Sequence, residues 1–371
     1  MPASKIAFIH PYQLRLLRGI EVWLWHLAHA LAQQGFEVHI LTWDGPLAPP
    51  PDLQHPNLTL RQVPALRYFQ HLVAVPFYII DLLRGGYDHI FVNFAGYGEG
   101  PALSFYRLVK HTPFSLVLHF PPFLVPHRYR EFTRWRFHKQ AHHIIAVSQV
   151  VAQEAGSVFD RPCTVIGHGV DSERFKPDNS VKHQVRSRLG ISDDACVLIS
   201  AAAFEERKGI QWVIHAMPQI LKKSPNTYYL IAGDGSYRRE LEQLVAEQNL
   251  ETHIQFLGHQ SNVVPYYQAA DMFLLLSTGE ASPISIPEAL SCGLPLITST
   301  HPPFPDLVDP SCGFLVDERD PLAVARAVLR LWQDEERLEQ MRHATRQWAL
   351  DYHDWEVVAH QYIDLLMEAC K

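Results

Sequence analysis

Two periods of apolar residues alternate along this chain. "KIAFIH" (5–10) and "FEVHILT" (36–42) are apolar runs of strand length. Between them "GIEVWLWHLAHALAQQ" places Val22, Leu24, Leu27 and Leu31 at helical spacing, and Gly35 stops the helix. That order is a β-α-β unit. Further strands are predicted at 89–93, 114–119, 143–147 and 163–166. A polar stretch, "DSERFKPDNS" (171–180), reads as a linker. The alternation then restarts with "CVLISAA" (196–202), a helix near 209–222, "YYLIAG" (228–233), a helix near 237–248 and "IQFLG" (254–258). It continues through "MFLLLS" (272–277), a helix near 286–292, "LPLITS" (294–299) and "GFLV" (313–316), and two helices close it.

Strands alternating with helices imply parallel sheets covered on both faces. The predicted fold class is α/β, with two Rossmann-like domains facing each other across a cleft. The boundaries expected are 1–172 for the first domain and 180–353 for the second, with a C-terminal helix (354–371) packing back on the first. Ligands of open α/β sheets sit at the carboxyl ends of strands, so chemistry is expected just after strands.

Composition narrows this picture. With 371 residues, 47% hydrophobic and 19% charged, the chain can bury two full cores. Its five cysteines are scattered without a CxxC pair, which argues for a reducing compartment and against a disulfide framework or a zinc site. No signal peptide is read at the start, and the longest apolar run, "LVAVPFYIIDLL" (72–83), is too short to cross a bilayer. A soluble, cytoplasmic protein is expected. Residues 1–170 carry 14 Lys and Arg against 10 Asp and Glu, so the remainder is acidic enough to bring the total to −7. Two units with different partners would explain that asymmetry. A balance this mild, with no RNA- or DNA-binding motif, excludes nucleic acid as a partner.

Candidate chemistry concentrates in "GEASPISIPEALSCG" (279–293), where Glu280 and Glu288 flank small and apolar residues. Ser285 and Glu288 fit an S-x-x-E capping box, with Pro287 in the first turn and Gly293 past the end. Ala281, Ser282 and Ser285 are small enough to let backbone N–H groups approach a ligand. The helix N-terminus behind them favours a diphosphate. Carboxylates beside such a site suit the hydroxyls of sugars on either side. The ligand so inferred is a sugar attached through a diphosphate to a ribose.

Glu280-x7-Glu288 followed by "ALSCGLPLI" resembles the E-x7-E signature of family 4 glycosyltransferases, retaining enzymes of the GT-B fold. The resemblance covers nearly the whole chain. "RGIEVWLWHLAHALAQQGFEVHILT" is similar to the family's opening unit, and "AVS" (146–148) and "VIGHGVDSERFKP" (165–177) to the segments leading to the hinge. "ERKGI" (206–210) resembles the K-G motif, "IAGDG" (231–235) the G-x-G turn, and "YYQAADMFLLLS" (266–277) the approach to E-x7-E.

The resemblance implies roles residue by residue. Glu288 would hold the donor ribose, and Glu280 would contact the transferred sugar. Arg207 and Lys208 would neutralise the leaving diphosphate, where fixed cations stabilise developing charge. Gly19 is similar to a glycine passing close to the donor phosphates, and His119 to a histidine near the transferred sugar. Gly233, Gln260, Ser282, Pro283, Ile284 and Ser285 complete the expected donor-binding set. Phe120 stands where the family usually has Asp, and Ala202-Ala203-Phe204 where it has G-R-L, which leaves Arg207 to supply the missing phosphate contact. The implied reaction is sugar transfer from a nucleoside-diphosphate sugar to an acceptor hydroxyl, by front-face attack with the donor phosphate taking the acceptor proton. The second domain would hold the donor and the first the acceptor. No metal is implied, the sequence has no DxD motif, and no cofactor is expected besides the donor itself.

"GDGSYR" (233–238) begins like a nicotinamide fingerprint, but Arg238 replaces the third glycine and no acidic residue ends "IQFLG". "HRYREFTRWRFHKQ" (127–140) sets five basic residues among four aromatics. It reads either as an interfacial amphipathic helix or as an ordinary basic helix with Phe132 and Trp135 in the core. The first reading implies peripheral contact with the inner face of the cell membrane and a lipid-linked acceptor. A polysaccharide or small-molecule acceptor follows from the second. The alternatives for the whole chain are an epimerase-like enzyme of the same fold and an inactive nucleotide-sugar-binding protein; a phosphorylase would need a pyridoxal-phosphate lysine, and no suitable context for one is present.

Overall fold

The apolar strand runs pair into two separate, all-parallel sheets. In a computed structural model that describes residues 4–13, 19–44, 49–62, 70–93, 103, 106, 109–121, 133 and 136–369, the chain forms two units. One comprises Met1–Gly169 with Trp355–Lys371, the other Val170–Asp354.

The first unit's sheet contains β1 (Lys5–Gln13), β2 (Glu37–Asp44), β3 (Leu58–Gln62), β4 (His89–Asn93), β5 (Phe114–Leu118), β6 (Ile144–Ala146) and β7 (Thr164–Val165), in the order β3-β2-β1-β4-β5-β6-β7. β4 and β5 are buried at every position, as strands covered on both faces must be. Helix Gly19–Gln33 buries Trp23, Leu24, Leu27 and Leu31, and helix Trp355–Ala369 adds Val358, Ala359 and Tyr362 to the same core. The Trp23 and Tyr362 rings lie 6.3 Å apart. The apolar run at 72–83 falls within helix Gln70–Gly85. Among the described residues no helix is long and apolar enough to cross a membrane. β3 and the helices Gln70–Gly85 and Gln149–Phe159 were not predicted.

The second unit's sheet contains β8 (Cys196–Ala201), β9 (Thr227–Ala232), β10 (Ile254–Gly258), β11 (Met272–Leu275), β12 (Leu296–Ser299) and β13 (Gly313–Val316), in the order β10-β9-β8-β11-β12-β13. Its two faces carry separate cores, one around Leu198, Val213 and Leu274, the other around Val197, Phe273 and Ile286. The alternation of residues along each strand produces that split. Asp271, just before β11, is buried yet charged. Lys182 Nζ (2.8 Å) and Arg342 Nη2 (2.7 Å) reach its Oδ1, while Arg186 Nη2 (2.7 Å) and the Val197 N–H (2.8 Å) reach its Oδ2. Burial alone would raise its pKa, but the three cations outweigh that and hold it below the ordinary value.

One prediction needs correction. Residues 171–180 are not a free linker. Phe175 is buried in the second unit's core, and Asp178 caps helix Asn179–Arg188 by accepting from the Ser180 and Val181 N–H groups. Two helices close the second unit, Pro321–Trp332 and Glu335–Tyr352, and the helix expected over 354–371 is Trp355–Ala369 of the first unit. Asp334 accepts from the Arg337 N–H, starting a new helix where the apolar pattern reads as continuous. Of 127–140 only Thr133 and 136–140 are described. There Phe137–Gln140 is a single helical turn with Phe137 buried, and the remainder lies outside the described residues.

Candidate functional site

In the second sheet the strand order reverses between β8 and β11, which are neighbours. The loops leaving their carboxyl ends therefore start side by side, the position where doubly wound sheets bind ligands. The first loop carries Arg207 and Lys208 in the turn Glu206–Lys208, and the second carries Ser277 to Ile284. Gly209 joins them closely. It holds φ at +73°, and a Cβ there would lie 2.0 Å from the Leu276 carbonyl oxygen, so only glycine allows this approach.

The approach brings the cations onto Glu280. Lys208 Nζ lies 2.6 Å from Glu280 Oε1 and Arg207 Nη1 3.3 Å from the same oxygen. Ser277 Oγ is 2.9 Å from it and 2.8 Å from the Arg207 carbonyl, so its one proton serves either. Arg207 also donates to Glu205 Oε2 at 2.7 Å and to the Gly279 carbonyl at 2.9 Å. Ser299 Oγ donates to the Ser277 carbonyl, fixing that strand end to β12. Glu280 is thus a buried carboxylate whose Oε1 is fully engaged, while its Oε2 takes no hydrogen bond among the described residues.

Glu288 is held differently. The predicted capping box does not form, because the helix begins at Ser285 itself and no side chain caps it. A serine inside the first turn cannot reach the amide that a capping serine reaches. The Glu288 carboxyl instead accepts a hydrogen bond from the Tyr267 hydroxyl at 3.0 Å. Desolvation pushes this carboxyl up to about 7, against the opposing Tyr267 hydrogen bond and Arg174 charge. Arg346 steadies the other end of the helix, donating to the carbonyls of Ser291 (2.9 Å), Phe175 (2.9 Å) and Ser172 (3.0 Å).

The remaining second-unit residues surround these two carboxylates in sequence. Ser282, Pro283 and Ile284 are half-buried, and Ser285 is buried. The N–H groups of Ser282, Ile284 and Ser285 donate to no protein group among the described residues. Gly233 follows β9 at φ +145°, where a Cβ would lie 1.9 Å from the Ala202 carbonyl oxygen, so the loops after β8 and β9 touch. Phe204, in the place of the family's leucine, is buried with its ring 6.0 Å from Phe256. Gln260 is half-buried and donates to the Leu257 carbonyl.

His119 and Gly19 belong to the first unit. Gly19 opens helix Gly19–Gln33, while Arg18 lies outside the described residues. His119 follows β5, is buried, and its ring meets Trp23 edge-on at 4.5 Å. Both ring nitrogens lack a hydrogen-bond partner among the described residues. Burial, reinforced by His168 and His10, holds its pKa well below the ordinary imidazole value, so it is neutral at pH 7. Sequence reasoning missed the polar group around it. His10 ends the apolar part of β1, its Nδ1 accepts from Asn93 Nδ2 at the end of β4 at 2.9 Å, and Glu21 lies 3.8 Å from the His10 ring. It also missed Ser277 and Tyr267, although both stand in the "YYQAADMFLLLS" stretch that leads to Glu280.

Comparisons with known proteins identify the family and the fold. The family described as "Glycosyltransferase Family 4" matches residues 17–174, and that described as "Glycosyl transferases group 1" matches residues 181–348. The chain is 29% identical over 233 residues to the GDP-mannose-dependent alpha-(1-6)-phosphatidylinositol monomannoside mannosyltransferase of Mycolicibacterium smegmatis, covering 59% of this chain and 60% of that one. It is 30% identical over 189 residues to the N-acetyl-alpha-D-glucosaminyl L-malate synthase of Bacillus anthracis, covering 51% and 49%. The chain thus spans 60% or less of the length of these two relatives. Among solved structures, a glycosyltransferase from Rickettsia africae superposes with a TM-score of 0.85 at 16% identity, covering 100% of both chains. HepE of Anabaena, solved with UDP and glucose, gives 0.78 at 20% identity over 98% of this chain and 99% of that one. The fold is the GT-B fold, two parallel-sheet Rossmann-like domains, as predicted.

Proposed function

The chain belongs to glycosyltransferase family 4, and on that premise we propose that it transfers a sugar from a nucleoside-diphosphate sugar to an acceptor hydroxyl with retention of configuration. One observation carries the reading: Lys208, Arg207 and Ser277 converge on one oxygen of Glu280 at the carboxyl ends of β8 and β11. Such a group presents two cations to a leaving diphosphate and keeps Glu280 Oε2 for a sugar hydroxyl. The undonated N–H groups of Ser282, Ile284 and Ser285 supply dipoles for the phosphates, and Glu288 accepts from the ribose. Gly233 and Gln260 line the nucleotide side. For His119, neutral and with both ring nitrogens unpartnered among the described residues, the family resemblance supports a hydrogen bond to the transferred sugar, and for Gly19 a close passage of backbone by the donor phosphates.

No side chain here is asked to form a covalent intermediate. The donor phosphate takes the acceptor proton, and the cations stabilise the nucleotide as it departs. No metal is required in this scheme. The acceptor is proposed to be lipid-linked and reached at the inner face of the cell membrane. The name of the M. smegmatis relative, which specifies a phosphatidylinositol mannoside, and the basic first half of the chain support that choice.

The test is a thermal-shift panel of UDP-, GDP- and ADP-sugars, because a ligand that binds the folded state raises its stability by RT ln(1 + [L]/Kd). Incubation of the stabilising donor with candidate acceptors follows, and the anomeric configuration of the product is read by NMR. Isomerisation of donor alone would make the protein an epimerase. Binding without turnover on any acceptor would make it a nucleotide-sugar-binding protein.

A further inference from the structure

Tyr267 belongs to helix Val264–Ala269 and is buried, with the Phe175 ring 6.1 Å and the Phe273 ring 5.9 Å from its own. A ring packed on two sides holds its hydroxyl in one place. That hydroxyl donates to Glu288 Oε2 at 3.0 Å. Burial, then the charge of Glu288, raises the phenol well above its ordinary value, so it stays protonated and remains a donor.

The other carboxyl oxygen is placed differently. Glu288 is half-buried, and its Oε1 takes no hydrogen bond among the described residues, so this is the oxygen that solvent or a ligand reaches. The charged and titratable groups around the carboxyl are few. Arg174 favours its ionised form and is itself held by Asn262 Oδ1 at 3.4 Å and by the Phe175 ring at 5.6 Å. The Cys292 thiol, at the end of the same helix, is kept neutral by burial and by the Glu288 charge, and Arg346 acts on that thiol. Tyr267 is thus the one group hydrogen-bonded to the Glu288 carboxyl among the described residues.

We infer that Tyr267 is a positioning residue for the donor: by holding Oε2 it turns Glu288 Oε1 toward the ribose and keeps the carboxyl in the charged form that accepts ribose hydroxyls. The inference rests on the proposed ribose role of Glu288 and adds a side chain that acts on the donor without touching it. A half-buried carboxyl deprived of this hydrogen bond is harder to ionise, so donor affinity is lost most at low pH. A tyrosine that only filled space would give a loss independent of pH.

The experiment is a calorimetric titration of the full chain with UDP, GDP and ADP. The tightest of the three is then measured at pH 6 and pH 9 on wild type, Tyr267→Phe, Glu288→Gln and the double variant. Phenylalanine keeps the ring and its packing, so the fold should be retained, which circular dichroism verifies. The ratio of variant to wild type at each pH cancels the titration of the nucleotide's own phosphate. Tyr267→Phe should bind roughly tenfold more weakly at pH 6 and at most about threefold more weakly at pH 9. In the Glu288→Gln background the same change should have no effect. In turnover, the donor KM should rise while kcat stays within about twofold. Equal ratios at the two pH values, or an undiminished effect in the Glu288→Gln background, overturn the positioning role and leave the ribose role standing. Unchanged affinity in Glu288→Gln overturns the ribose role and this inference with it, and binding of none of the three nucleotides overturns the donor site itself.

Discussion

Lys208 Nζ stands 2.6 Å from Glu280 Oε1, a contact between residues 72 positions apart in the chain. It is made possible by Gly209 and anchored by Ser277, so the pair is built by the strand order and not by sequence proximity. Lys208→Ala should lower kcat by at least ~100-fold, the scale of losing one donor to developing negative charge. Arg207 and Ser277 remain on Glu280, so the fold should survive. Near-native turnover would place the leaving diphosphate elsewhere.

The two glutamates should separate kinetically. Glu280→Ala should act mainly on kcat, because its free oxygen is proposed to meet the transferred sugar. Glu288→Ala should instead weaken donor binding by roughly 1.5–3 kcal/mol, the loss of a hydrogen bond to a charged acceptor. Titration of each variant with the donor nucleotide distinguishes them, and an unchanged Kd in Glu288→Ala refutes the ribose role.

Glu288 also predicts a pH dependence. Its folded pKa, about 7, lies above the ordinary glutamate value of 4.5, so between those values the folded state holds a proton that the unfolded state has released. Stability without ligand should therefore fall as pH rises from about 4.5 to 7. Glu288→Gln should flatten this slope in urea titrations at pH 5 and 8. Donor affinity should rise through pH 7, because ribose hydroxyls donate to the ionised form. Parallel slopes in wild type and variant would show that Glu288 titrates normally.

Asp271 should be the most sensitive single position for stability. Asp271→Asn leaves Lys182, Arg186 and Arg342 facing a neutral group, with Arg186 only 1% exposed. Removing one partner of a buried ion network costs about 3–5 kcal/mol. Urea unfolding measures it, and a loss under 1 kcal/mol would mean the cations relax to solvent.

Membrane contact is tested by co-sedimentation with anionic liposomes at low and high salt. Wild type should sediment at low salt only, since each basic residue near such a surface contributes about 1 kcal/mol and salt screens it. A variant with Arg128, Arg130, Arg134 and Arg136 changed to Ser should stay in the supernatant. If wild type also stays there, a soluble acceptor replaces the lipid-linked one.

The sequence by itself determined the two alternating series, and with them the two parallel sheets, because buried parallel strands are continuous apolar runs bounded by turns. It also marked Glu280, Glu288, Arg207 and Lys208, whose residue types and spacing stand out from the apolar strands beside them. It did not place the boundary between the helices beginning at Pro321 and Glu335, which Asp334 sets by one local hydrogen bond that leaves apolar periodicity intact. It misplaced the cap at Ser285 for a related reason: an S-x-x-E string fits equally whether serine precedes the helix or begins it. Only tertiary structure decided that Ser277 and both cations meet on one Glu280 oxygen, and that Tyr267 serves Glu288. It alone collected His10, Glu21 and Asn93 around the strand ends of the first sheet. Those contacts join residues far apart in the chain through strand order, and no local pattern of residues records which loops a sheet will place side by side.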